Sequence, residues 1–263
     1  MELAEAQKAS QLLVGHWRAG TVLGALPSGL RPASRLDGYA IQAQLESLSA
    51  KPLWGWKIAA TSSAGQHHIG VDGPMAGRLL AEMVYPDNAE LPFGANRMRV
   101  AEPEFAFRMG RDLFPGARPY DVTEVVQAVA ALHTALEVPD SRFSDFAKAG
   151  AAQLIADNAC AHQFVLGPEA PALWRDMDLA EHHVVAKLGA RYERDGYGRN
   201  VLGDPRLALA WLANELSQHG VTLAAGAIVT TGTCVIPLEI LPGEHVSADF
   251  GCLGTVRLKF SAA

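Results

Sequence analysis

Residues 100–113 read VAEPEFAFRMGRDL, and their alternation decides how the rest of the chain is read. On a β-strand, side chains two apart share a face, so Phe105, Phe107 and Met109 line one side and Glu102, Glu104 and Ala106 the other. The aromatic face belongs to a core. The opposite face carries two acids side by side, and two like charges at about 4 Å near a protein surface repel by roughly 4 kcal/mol. A compensating partner is therefore expected.

The surrounding sequence gives an α+β pattern rather than a regular βαβ alternation. Helices are expected over residues 3–18, with Leu3, Ala6, Leu13 and Trp17 on one stripe, and from Arg35 to about Leu48 behind the Ser34 cap with Asp37 three positions on. PLWGWKIAATS (52–62) is an apolar strand-like run holding one lysine, and 63–94 reads as loop with short ordered pieces. Asp121 and Glu124 form a capping box that opens an expected helix VTEVVQAVAALHTA (122–135), followed by a short strand ALEVPD (135–140). Further strands are expected within 162–167, 182–196, 227–236 and 245–260. A helix through 207–219 starts at Asp204–Pro205 and stops at Gly220. With no repeat and no low-complexity linker, residues 1–263 are expected to form a single domain, with 1–50 as a helical N-terminal segment.

Composition narrows the function classes. The chain has 263 residues, 49% of them hydrophobic, a formal charge of −6 and a pI near 5.8. It has no run of lysine or arginine, which argues against nucleic acid or an anionic membrane as partner. Cys160, Cys234 and Cys252 are too few and too scattered for a disulfide framework or a zinc knuckle, and read as reduced, mostly buried thiols of a cytoplasmic protein. MELAEAQKASQLL lacks a signal peptide's basic start and apolar run, and no apolar stretch approaches the length of a membrane span.

The Cα atoms of Glu102 and Glu104 should stand about 6.7 Å apart on a strand. From there two glutamates can converge on one cation whose oxygens lie about 2.1 Å away. Glu137, in a strand that can neighbour the first, would bring a third carboxylate. Three carboxylates without histidine or cysteine favour magnesium or manganese over zinc. On spacing alone, an E-x-E pair is also the pattern of a solvated strand face. Lys57 shares its face with Leu53, Gly55 and Ala59, leaving room around its ammonium, although a lysine in such a run can equally reach out to solvent. VTTGT (229–233) is a glycine-containing strand end whose backbone can approach a ligand. A β-bulge with locally satisfied hydroxyls is the alternative there. His67 and His68 are loop candidates for acid–base work or plain solvation, and Arg142 is expected to pair with Asp140 or Asp145.

Taken in order, GWKIAATS (55–62), IGVDGP (69–74), AEPEFAFRMGRDL (101–113), ALEVPDSRF (135–143), IADNA (155–159), VTTGT (229–233) and SADFGCLGTVRLKF (247–260) resemble the fumarylacetoacetate hydrolase superfamily. The likeness is to its branch of 2-hydroxypenta-2,4-dienoate (2-oxopent-4-enoate) hydratases and 4-oxalocrotonate decarboxylases. The resemblance implies a fumarylacetoacetase C-terminal-like mixed β-sandwich or roll with peripheral helices, and a homo-oligomer. It implies Glu102, Glu104 and Glu137 as ligands of Mg2+ or Mn2+, Lys57 as the active-site lysine and Thr231 as the side chain touching substrate. The implied reaction is addition of water to a small 2-oxo acid through a metal-stabilised enolate, in aromatic meta-cleavage catabolism. Decarboxylation of 2-oxohex-3-enedioate on the same site comes second and a diketone hydrolase or tautomerase third, with a non-catalytic partner subunit as the alternative of another class. Two positions depart from the branch: Met75 stands where its hydratases carry an aspartate, and Cys160 and Ala161 where they tend to have serines.

Overall fold

The structure is a computed structural model that describes residues 1–262. Its larger sheet contains β1 (Leu53–Ala59), β2 (Met75–Leu80), β3 (Val84–Pro86), β5 (Val100–Met109), β6 (Val129–Val138), β7 (Gln163–Glu169) and β10 (Ile228–Thr233), in the order β2-β1-β10-β5-β6-β7-β3. The two-residue β11 (Leu238–Glu239) adds to the start of β5. The second sheet runs β4 (Ala89–Leu91), β13 (Thr255–Phe260), β12 (His245–Asp249), β8 (His183–Leu188), β9 (Tyr192–Tyr197).

The strand alternation has a three-dimensional reason. Phe105, Phe107 and Met109 enter the main core with Trp56, Ile58 and residues of the second sheet such as Val246, Val256 and Phe260. The other face of the large sheet closes on itself: Leu79, Ala106, Ala135, Phe164 and Ile228, with Trp54 and Val84 against them, form one cluster drawing on every strand from β2 to β3. The sheet is therefore curled into a roll, small side chains fill its middle, and the even-numbered residues of β5 point inside. These features bear out the expected α+β roll with peripheral helices and a helical N-terminal segment.

Helices surround this frame: α1 (Leu3–Ala19), α2 (Arg35–Ala43), α3 (Leu45–Leu48), α4 (Ser63–Ile69), α5 (Val122–Gln127), α6 (Ala151–Ala156) and α7 (Pro205–Gln218). Ser34 and Asp37 form the expected capping box, as do Asp121 and Glu124. Gly220, at φ +69°, follows α7 where the stop was expected.

Four local expectations need correction. The helix expected through 122–135 ends at Gln127, and Val129–Val138 is a strand bonded on both sides, to β5 and β7. Its alanines and leucines favour a helix in isolation, but two ladders and burial of nearly every residue override that preference. The helix expected from Arg35 to Leu48 breaks at Gln44. Leu3, assigned to the buried stripe of α1, is 63% exposed, and the buried residues of α1 begin one turn later at Ala6. Within 63–94, Met75–Leu80 is a fully buried strand. Among the described residues, no helix is long and apolar enough to cross a membrane.

Candidate metal centre

Register brings the acids together. β5 and β6 are antiparallel with Glu102 opposite Glu137 and Glu104 opposite Ala135, so all three carboxylates enter the same end of the roll. One oxygen from each of Glu102, Glu104 and Glu137 lies within 4.8 Å of the others. Glu104 and Glu137 are fully buried, while Glu102 is partly exposed.

Several groups hold this arrangement. β10 pairs with β5 through Thr230–Ala106 and resumes at Thr233–Glu104, so a bulge falls at Thr231 and Gly232. The bulge frees the Gly232 amide, which donates to Glu104 Oε2 at 2.8 Å, and the Thr230 hydroxyl donates to the same oxygen. Glycine is required here: φ is +93°, and a Cβ would come within 2.1 Å of Thr61 Oγ1. Thr231 is buried, with its hydroxyl donating to the Phe105 carbonyl at 3.1 Å.

Lys57 approaches from β1, paired with Thr230 on one side and Gly77 on the other. Its Nζ lies 3.1 Å from Glu137 Oε1 and donates to the Ala159 carbonyl, also at 3.1 Å. A Cβ at Gly77 would meet Asn158 O at 2.5 Å and Lys57 Cγ at 2.9 Å, so the lysine stem fits only against glycine. The Ala159 carbonyl is turned to the lysine by three successive left-handed residues, Asn158, Ala159 and Cys160, at φ 56°, 50° and 61°. The Asn158 side chain anchors that turn to β2: its Oδ1 accepts from Arg78 N and its Nδ2 donates to Arg78 O.

Electrostatics shows what the cluster lacks. Burial first, then the Glu137 charge, pushes Glu102 up to about 7 against the opposing pull of Lys57. The same causes, with the charge of Glu102 added, hold Glu104 well above the usual carboxylate range. Burial disfavours the Lys57 ammonium, but Glu137, Glu102 and Glu104 outweigh it and hold its pKa above the ordinary lysine value. Glu104 Oε1 and both carboxylate oxygens of Glu137 are buried with no hydrogen-bond donor among the described residues, the Lys57 contact to Glu137 being an ion pair only. Buried carboxylate oxygens without donors are costly, and a cation removes the cost. The residues therefore fit a hard divalent ion: they offer only oxygen donors, and three carboxylates with one ammonium leave two negative charges.

The remaining expectations fall elsewhere. His67 and His68 are exposed on α4, with His68 edge-on to Phe146. Arg142 lies 3.4 Å from Asp140 and 4.0 Å from Asp157, while Asp145 pairs with Lys148. Met75 is buried at the start of β2 opposite Ala59, and Cys252 lies on the surface. Sequence reasoning missed Thr230, Gly77, Asn158 and the Ala159 carbonyl. Asn158 and Ala159 lie in IADNA and Thr230 in VTTGT, segments that carried the resemblance without a role for these residues, and Gly77 had no signal.

Comparison with known proteins agrees with this fold and cluster. Residues 78–261 match the fumarylacetoacetate hydrolase C-terminal family, a span that includes all three glutamates. The chain belongs to that family. Within it, its place is with the 2-keto-4-pentenoate hydratases and 4-oxalocrotonate decarboxylases. It is 34% identical over 226 residues to the 2-keto-4-pentenoate hydratase of Burkholderia vietnamiensis, covering 85% of each chain. It is 29% identical over 204 residues to a 4-oxalocrotonate decarboxylase of a Pseudomonas species, covering 77% of this chain and 76% of that one. Its fold matches 4-oxalocrotonate decarboxylase from Pseudomonas putida G7, solved with magnesium and adipate, at a TM-score of 0.89 and 23% identity, over 99% of this chain and 98% of that one.

Proposed function

We propose that the chain is a lyase that requires a divalent cation, Mg2+ or Mn2+, and adds water to a small 2-oxo-enoate of the 2-oxopent-4-enoate type, in aromatic meta-cleavage catabolism. The observation that carries this reading is the convergence of Glu102, Glu104 and Glu137 on one point with a residual charge of two, beside a buried lysine. Glu102, Glu104 and Glu137 would hold the ion, which supplies Lewis-acid charge to stabilise the oxyanion that develops on the substrate's C2 oxygen.

The protein's own groups supply the rest. Lys57 donates to the Ala159 carbonyl and is ion-paired with Glu137, and its ammonium is the group we assign to the substrate carboxylate or to proton delivery. Its raised pKa keeps it an ammonium, so it acts as anchor and acid before it acts as base. A dication nearby would lower that pKa toward the range useful for proton transfer. Thr230 and the Gly232 amide hold Glu104 in one orientation. The backbone of the Thr231–Gly232 bulge, more than the Thr231 hydroxyl, is the element we assign to substrate contact. The packed roll beneath the cluster, with Ala106 and Ala135 at its centre, keeps bulk water from the inner side.

Decarboxylation of 2-oxohex-3-enedioate is the second reading, favoured by the 29% identical relative named for that reaction. It would use the same electron sink. The deciding experiment follows consumption of 2-hydroxypenta-2,4-dienoate with added Mg2+ or Mn2+, before and after chelation. Metal-dependent turnover supports the hydratase. Carbon dioxide release from 2-oxohex-3-enedioate, without hydration of the dienoate, transfers the assignment to the decarboxylase. With metal bound and no turnover of either compound, the lyase reading fails.

A further inference from the structure

β2 stands at the end of the strand order of the large sheet, with β1 on one side. The backbone groups of such a strand that face away from the sheet need partners. Here the side chains of Tyr39, Gln42 and Asn158 take the place of a neighbouring strand. The Ala76 amide donates to the Tyr39 hydroxyl at 3.1 Å, and the Ala76 carbonyl accepts from Gln42 Nε2 at 2.8 Å. Two residues on, the Asn158 side chain meets the amide and the carbonyl of Arg78. Between them lies Gly77, which pairs with Lys57 and packs against its stem.

Gln42 does more than cover that edge. It is fully buried in α2, and its Nε2 also donates to the Ile155 carbonyl at 3.0 Å, near the C-terminal end of α6. Its Oε1 accepts from Arg78 Nη1 at 2.5 Å. The Arg78 guanidinium is held further by Glu46 of α3 at 2.8 Å and lies 4.7 Å over the ring of Trp56, the residue before Lys57. The left-handed turn of Asn158–Cys160 begins three residues after Ile155. The two segments that Gln42 joins are therefore the two that confine Lys57: 76–78 walls its stem, and 155–159 presents the Ala159 carbonyl to its ammonium. A buried amide bonded at both ends fixes its partners in one relative position. An apolar side chain of the same volume fills the space without doing so. The matched family span starts at residue 78, so α2 lies outside it.

We propose that Gln42 is a positioning residue for Lys57. By tying Ala76, Arg78 and Ile155 together, it sets the spacing between the Gly77 wall and the Ala159 carbonyl, and with it the place of the ammonium beside Glu137. Tyr39 supports the same edge from the same helix. The N-terminal helical layer thus takes part in building the active site through one glutamine. This role rests on the reading of Lys57 as the acting group of the lyase, and a measurement that needs no turnover separates the two.

Gln42→Met keeps the volume and removes the hydrogen bonds; Tyr39→Phe removes the Ala76 amide's acceptor alone. With isotopic labelling at lysine Cε, NMR of the metal-free full-length chain reports the surroundings of each lysine, and the signal lost in Lys57→Met identifies Lys57. Gln42→Met should move the Lys57 signal and leave those of the surface lysines in place. Its kcat should fall on the order of 10- to 100-fold, as a small misplacement of an acting group costs, with Mn2+ binding retained. In the Lys57→Met background the same substitution should cost no further kcat, because it acts through the lysine. A lowered Tm with an unmoved Lys57 signal, or with wild-type kcat, overturns the proposal. Loss of Mn2+ binding also overturns it, since the whole cluster would then have shifted. If circular dichroism shows that Gln42→Met has not folded, Tyr39→Phe gives the reading by the same criteria. Failure of both to fold overturns it as well, because the two side chains would then hold the fold at large. Absence of turnover in the wild type strikes the lyase reading alone, and the Lys57 signal still decides the role of Gln42.

Discussion

Lys57 Nζ and Glu137 Oε1 lie 3.1 Å apart in the buried end of the roll, on strands β1 and β6 that are not neighbours in the sheet. One ammonium against three carboxylates does not neutralise the cluster. This imbalance makes the lysine and the glutamates separable by mutation.

Glu104→Gln keeps the shape of the side chain and removes one formal charge. Divalent-ion affinity should fall on the order of 100-fold or more, since even groups that only support a ligand are worth 10- to 100-fold. Isothermal titration with Mn2+ measures this. An unchanged Kd would remove Glu104 from the ligand set.

Lys57→Met should leave ion affinity within about tenfold of wild type while kcat falls by about 10²- to 10⁴-fold, the span of a positioned acid or base. Simultaneous loss of metal binding and activity would make the lysine a structural residue instead.

Thr230→Val removes the hydroxyl that donates to Glu104 Oε2 and leaves the Gly232 amide in place. We expect a loss of 10- to 100-fold in ion affinity with little change in fold. Titration and a melting curve on the same preparation separate the two effects, and unchanged affinity would show that the amide alone is sufficient.

The dependence on pH follows from Glu102 and Glu104. Their folded-state pKa values are raised, so the metal-free fold carries no penalty from them below about pH 4.5, the ordinary value. The penalty grows as pH rises through about 7, where Glu102 ionises in the folded chain. A cation competes with those protons. The increase in Tm caused by Mg2+ should therefore be small at about pH 5.5 and large at about pH 8, and apparent affinity should drop up to tenfold per pH unit below 7 for each proton displaced. Thermal scans with and without metal across that range test it. An increase independent of pH would mean that the ion binds where no raised carboxylate is displaced.

The E-x-E strand was legible because it depends on alternation alone: the Phe105 and Phe107 face demands a core, which forces Glu102 and Glu104 together. Glu137 needed the neighbouring strand as well, and its segment was partly misread because the alanines and leucines of 128–136 resemble a helix until two ladders claim them. Thr230 was hidden by the bulge, which decides which of two adjacent threonines faces the cluster. The Ala159 carbonyl was hidden because every residue has one, and only the left-handed turn of 158–160 aims this one at Lys57. Gly77, inside a stretch read as loop, makes room for a lysine twenty positions earlier. No local pattern encodes such a contact.

The most direct test of a three-carboxylate metal centre is anomalous diffraction from crystals grown with Mn2+. One strong peak about 2.2 Å from an oxygen of each of Glu102, Glu104 and Glu137 is the predicted result. A protein that binds manganese with no peak among these three side chains, or with Glu137 turned away from the ion, would contradict it.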